Sequence, residues 1–178
     1  MLYYIHGYQS NPNSRKGTLF KEKLGAVAVK YRDCKPEELR IKDCLNRIKK
    51  TIKNDDNIVL IGSSLGGFLA AETAYDIHTV KHIILLNPAV LPYNIPTSQV
   101  DLPPRIIEEM RDKRLFEQKI PAKVTILMAT DDEVIPKEWI INFAMAQEAT
   151  IIFLHDDHRF TKNMDHLPDI IHGIIKQG

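Results

Sequence analysis

Ser64 stands at the centre of Gly62-Ser63-Ser64-Leu65-Gly66, between an apolar run at residues 58–61 and a small-residue stretch at 65–75. This is the G-x-S-x-G pattern of a nucleophile elbow, which presents a serine hydroxyl at the tip of a tight strand-to-helix turn. Gly62 and Gly66, two positions to either side, would let strand and helix pass close together. The helix that follows aims the positive end of its peptide dipoles at any negative charge forming beside the serine. A serine hydroxyl is a weak nucleophile at neutral pH, so it needs a base, and the base needs an orienting acid. Both types follow apolar runs further along the chain. Asp131-Asp132-Glu133 places three acids after the run at 124–129, and position alone does not choose among them. His155-Asp156-Asp157-His158 offers two histidines after the run at 150–154, and His6-Gly7 closes the first run of the chain.

These residues need elements to hold them. Apolar runs at 2–5, 26–31, 58–61, 81–86, 124–129 and 150–154 read as six strands. Helical segments are expected at 16–24, from Pro36 to residue 52, and at 65–75, 137–146 and 164–175. The second of these carries the stripe Leu39, Ile41, Cys44, Leu45, Ile48 and Ile52 at helical spacing. The strand runs are continuously apolar rather than alternating, as in a parallel sheet covered by helices on both faces. Residues after each strand then share the carboxyl edge of the sheet. Residues 88–122 break the rhythm with Pro88, Pro92, Pro96, Pro103, Pro104 and Pro121, and a helix is expected over 105–116. This excursion reads as a lid or substrate wall, or as an inert crossover. Its Val90, Leu91, Tyr93, Ile95, Val100 and Leu102 suit an apolar acyl group and ordinary core packing alike.

Composition narrows the classes. The chain has 178 residues, 44% hydrophobic and 26% charged, which fits one domain with a two-sided core. Twenty-four Lys and Arg against 23 Asp and Glu leave a net charge of +1, which gives no reason to invoke nucleic acid or an anionic membrane. Cys34 and Cys44 form no metal knuckle or redox pair and read as reduced thiols. The amino terminus lacks the basic leader of a signal peptide, and no run approaches the ~18 apolar residues of a membrane span. A cytoplasmic protein, monomeric or a small homo-oligomer, is the expectation.

Three blocks together, Gly62 to Gly67, Tyr4 to Ser14, and His158-Arg159-Phe160, resemble small esterases of the α/β-hydrolase fold. The similarity is greatest to the compact bacterial YqiA-like family, long carried as uncharacterised family UPF0227. The resemblance spans essentially the whole chain. It implies a three-layer sandwich of about six parallel strands, without the first two strands of larger members, in the order 2-1-3-4-5-6. It assigns Asp132, within Thr130-Asp131-Asp132-Glu133-Val134, as the acid and His158 as the base. The strand order would bring His6-Gly7-Tyr8 beside Ser64. Backbone N–H groups of Tyr8 and Leu65 would then form the oxyanion hole, with Gly7 permitting close approach and His6 bracing the loop.

The expected activity is hydrolysis of small or flexible acyl esters or thioesters through an acyl-enzyme, with no cofactor and no metal. An amidase or peptidase would use the same triad. A ligand-binding protein on the same scaffold is the alternative from another class. A nucleotide-binding protein would want a glycine-rich loop after the first strand, where residues 6–14 hold one glycine. Of the acids 156 and 157, one is expected to cap the final loop.

Overall fold

The computed structural model describes residues 1–176, so the last two residues of the expected domain 1–178 lie outside the described residues. Six strands, β1 (Leu2–Ile5), β2 (Val27–Ala28), β3 (Ile58–Ser63), β4 (Val80–Leu86), β5 (Lys123–Ala129) and β6 (Thr150–Leu154), form one sheet. Its order is β2-β1-β3-β4-β5-β6, parallel throughout, as the sequence reading expects. The helices are α1 (Arg15–Leu24), α2 (Ile41–Ile52), α3 (Leu65–Asp76), α4 (Pro104–Glu109), α5 (Arg114–Glu117), α6 (Lys137–Gln147) and α7 (Leu167–Lys176).

The continuous apolar runs are explained by cores on both faces. Successive β residues alternate between them. Tyr3, Ile5, Leu60, Ile83, Leu85, Ile126 and Met128 pack under α2, α3, α6 and the excursion. Tyr4, Ile61, Ile84, Leu86 and Leu127 pack under α1 and α7 with Phe20, Phe160, Leu167 and Ile171. The exposed large apolar side chains of the sheet sit on its edge strands, Val27 of β2 and Phe153 of β6. Cys44 is buried on α2, Cys34 is exposed, and both are free thiols.

Three elements differ from the sequence reading, where distant contacts or a local side-chain cap override the expected propensity. The helix expected from Pro36 is split into a 3-10 turn at Pro36–Glu38 and α2. No side chain of its own caps α2. The Glu109 carboxylate of α4 instead accepts the Ile41 N–H at 2.8 Å. The helix expected over 105–116 becomes α4 and α5, because Asp112 Oδ1 takes the Arg114 N–H at 2.8 Å and starts a new turn there. The strand expected over 26–31 pairs with β1 only at Val27 and Ala28, with one further bond from Val29 N–H to the Tyr4 carbonyl. Beyond it Tyr31 and Arg32 turn inward.

The excursion at 88–122 is built into the core. Val90, Leu91, Ile95, Ile106, Ile107, Met110 and Leu115 are buried, while Tyr93 is exposed. Fully burying an aliphatic side chain stabilises by roughly 1.5–3 kcal/mol. Polar ties add to this. Tyr75 on α3 donates to the carbonyls of Arg114 and Gln118, and Gln147 on α6 bonds Leu115, Gln118 and Ile120.

Between α3 and α5, Arg114 binds Glu72 and Asp112, each at 2.8 Å. Glu72 is buried, and its Oε1 has no partner among the described residues. Burial, helped by the charge of Asp112, pushes this carboxyl from 4.5 up to about 7 against the pull of Arg114. A carboxyl raised in the folded state holds its proton longer when folded than when unfolded. Its contribution is therefore complete below the unfolded value and is lost as pH rises toward the folded one. Urea titrations should show Glu72→Gln gaining on the wild type by on the order of 3 kcal/mol between about pH 4 and about pH 8. A constant difference across that range would mean that Glu72 titrates alike in the folded and unfolded chains.

Candidate active site

The chemistry-bearing residues lie along the carboxyl edge of the sheet. β3 runs into Ser64, whose φ of 53° and ψ of −119° are unusual for a residue with a side chain. Such backbone costs on the order of 1–3 kcal/mol and persists only where its surroundings enforce it. Here the Ser64 N–H donates to the Leu86 carbonyl at 3.0 Å, and its carbonyl accepts from Gly67 at 2.8 Å and Ala89 at 3.0 Å. A Cβ on Gly62 would lie 2.4 Å from the Gly66 carbonyl oxygen, and one on Gly66 would lie 2.1 Å from that of Ile5. The space left by Gly62 thus admits α3 against β3. The space left by Gly66 admits it against the end of β1.

The loop after β1 lies beside the elbow. An added Cβ on Gly7 would sit 3.4 Å from Ser64 Cβ. His6 is buried with its ring stacked on Tyr31 at 4.2 Å, and its Nδ1–H donates to the Gly7 carbonyl at 2.9 Å. Burial pulls its pKa down to about 4, so the ring is neutral and acts as a brace. Tyr31 donates to the carbonyls of His6 and Gly7, each at 3.2 Å. Arg32 donates to those of Tyr8 and Ser10, each at 2.7 Å. Among the described residues, the N–H groups of Tyr8 and Leu65 donate to no backbone carbonyl.

Asp132 and His158 meet. His158 Nδ1 is 2.9 Å from both carboxylate oxygens, and the Asp132 side chain is 0% exposed. Asp132 Oδ1 also accepts the N–H groups of Val134 and Ile135, at 2.8 and 2.9 Å. Nδ1 donates in this contact, so the lone pair of the neutral ring falls on Nε2. The hydrogen bonds of the His158 ring run only to Asp132 among the described residues, which leaves Nε2 free to take a proton. The other acid–histidine pair, Asp131 with His155, is a surface contact at 3.1 Å between exposed side chains.

The histidine loop is braced by its own acids. Burial opposes ionisation of Asp156, but Asn163, Lys162 and Asp157 donate to it and hold it below the usual carboxylate range. Burial also opposes ionisation of Asp157, which Thr161, Arg159 and Lys16 outweigh. Both acids therefore cap the loop, where the sequence reading expected one. Glu133 accepts the His158 N–H at 3.1 Å, and Lys16 donates to the Arg159 carbonyl at 2.6 Å. Tyr31, Arg32 and Lys16 escaped the sequence reading, since only the fold brings them to this edge, and Glu133, one of the three candidate acids, proves to hold the His158 backbone instead.

Two clefts, of about 720 Å³ beside α2 and about 410 Å³ near Met1 and α7, are lined by residues away from Ser64. Among the described residues, no group of three or more His, Cys, Asp or Glu is arranged to hold a metal ion, and no helix is long and apolar enough to cross a membrane.

The parallel sheet with its strand-to-helix elbow defines an α/β-hydrolase fold. Solved structures share it. A protein of the α/β-hydrolase superfamily from Xanthomonas campestris pv. campestris is 21% identical, with a TM-score of 0.70 over 99% of this chain and 98% of that one. Est1E from Butyrivibrio proteoclasticus, with ferulic acid bound, is 15% identical, with a TM-score of 0.78 over 99% and 88%. Mouse alpha/beta hydrolase domain-containing protein 10 is 18% identical, with a TM-score of 0.79 over 99% and 89%. The chain belongs to the uncharacterised protein family UPF0227, whose sequence profile matches residues 1–174.

The glycine contacts make a direct comparison. Gly66→Ala should destabilise by about 1–3 kcal/mol, because its methyl meets backbone. Gly173→Ala on α7, with nothing within 4 Å of its added Cβ, should be neutral or stabilising by up to ~1 kcal/mol. Urea unfolding midpoints of the two variants would show equal shifts if the close approach at α3 were absent.

Proposed function

We propose that this protein is a serine hydrolase of carboxylic esters, thioesters included, working through Ser64, His158 and Asp132. The observation that carries the reading is a buried carboxylate holding His158 by Nδ1, with Nε2 free, on the sheet edge that presents the strained Ser64. His158 Nε2 takes the Ser64 proton as Oγ attacks the acyl carbonyl, and Asp132 stabilises the imidazolium. Charge develops on the carbonyl oxygen, and the Tyr8 and Leu65 N–H groups receive it at the positive end of α3. The intermediate collapses, and the alcohol or thiol leaves with the proton from His158. Water deprotonated by the same ring then attacks the acyl-enzyme, releases the acid and restores Ser64.

The family and fold support hydrolysis in general terms. Est1E, a fold relative, carries ferulic acid in its structure. The packed excursion at 88–122 acts as a fixed substrate wall beside an open site, which favours short or flexible acyl groups.

A fluorophosphonate probe followed by intact mass should add once to the wild type and not to Ser64→Ala. Asp132→Asn should lower kcat by about 10⁴-fold with the fold intact. A folded wild type that takes no adduct would replace the hydrolase reading with that of a ligand-binding protein. In a series of p-nitrophenyl esters from acetyl to palmitoyl, kcat/KM should fall with length, and uniform turnover would discard the short-acyl preference.

A further inference from the structure

Asn87 ends β4 and is fully buried, with a φ of 42°. Its backbone is fastened to the elbow and to β5. The residue before it, Leu86, accepts the Ser64 N–H; Ala89, two residues after it, donates to the Ser64 carbonyl; and the Asn87 N–H donates to Leu127 at 3.0 Å. Pro88 leaves no room for adjustment, since an added Cβ on Gly67 of α3 would lie 2.7 Å from Pro88 Cβ.

The side chain then reaches the two other loops of the site. Oδ1 accepts the Ala129 N–H at 2.8 Å, where β5 hands over to the loop of Asp132. Nδ2 donates to the carbonyl of His158 at 3.1 Å. Both partners are backbone groups of fixed polarity, so the amide fits in one orientation only. An acid at this position could accept from Ala129 but, when ionised, would set oxygen against the His158 carbonyl. An aliphatic side chain would leave both buried groups without partners.

We propose that Asn87 is a positioning residue, the strut that fixes the distance between Ser64 and His158. This rests on the hydrolase reading of the site. Other holds on the histidine loop, Glu133 and Lys16, come from the acid loop and from α1. Asn87 sits between the two residues whose backbones bond Ser64, Leu86 and Ala89, and its side chain is tied to the His158 carbonyl. The left-handed backbone suits asparagine, which visits that region more readily than most residues.

Two variants separate this role from packing. Asn87→Asp keeps the acceptor for Ala129 and removes the donor to His158, while Asn87→Gly removes both side-chain bonds and accommodates the backbone. Three quantities are measured on each folded protein: kcat and KM with p-nitrophenyl acetate, the rate of fluorophosphonate labelling, and the NMR signals and titration of the His158 ring. Both variants should lose about 10- to 100-fold in kcat, the scale of a small misplacement of reacting groups. KM should stay within about twofold, labelling should slow in parallel, and the His158 ring signals should shift or broaden. A lowered melting temperature with unchanged kcat and an unchanged His158 titration would overturn the proposal and leave Asn87 a packing residue. A wild type inert to ester and probe would refute the hydrolase reading by itself. The His158 signals would still decide whether Asn87 positions the ring, changed signals supporting it and unchanged ones overturning it.

Discussion

Everything at the functional edge depends on how closely the backbone of α3 lies against the ends of β1 and β3. At Gly62 and Gly66 the gap excludes even a methyl group, so the elements meet main chain to main chain. The turn between β3 and α3 is consequently too tight for ordinary dihedrals, and Ser64 takes the strained conformation. The same proximity brings the loop after β1 against Ser64. Close packing, rather than any single polar contact, aims the hydroxyl.

The rest of the site is held by different means. The β1 loop is braced through its carbonyls by Tyr31 and Arg32, the residues that leave β2 after Ala28. A short second strand is thus the geometric condition for their turning toward that loop. The histidine loop is held by carboxylates that accept its N–H groups, with Phe160 as its buried anchor beneath. Ser64 belongs to a packed element, and His158 belongs to a hydrogen-bonded one. The proposed chemistry requires the two kinds of order to be in register.

The legible and illegible parts of the sequence divide along the same line. The six strands were readable because each is a continuous apolar run, and their parallel arrangement because every run is followed by a helical or polar crossover. The elbow was readable because glycine spacing around Ser64 is a local signature. Choosing among Asp131, Asp132 and Glu133 needed family resemblance, since three adjacent acids look alike until the loop folds. Only then is one carboxylate buried and the next two turned outward, Asp131 toward His155 and Glu133 to the His158 backbone. The breaks at Leu39 and at Asp112 escaped because the groups that make them compete with the helix from elsewhere in space or through a local side-chain cap. Asn87 carries no local signature in the sequence. Its partners lie more than forty residues away, in loops whose neighbourhood is a property of the sheet order.

The elbow helix has one more consequence. Leu65 through Ala74 are all buried, so α3 has no solvent face along most of its length. A helix enclosed on every side cannot fray without opening the core around it, and its amides should share the protection of global unfolding. The histidine loop, held by a few carboxylates and one buried aromatic ring rather than by an enclosed helix, can open sub-globally while the sheet stays whole. Ser64 and His158 thus sit in cooperative units of different stability. Heat or denaturant would dissolve their alignment before it dissolved the fold.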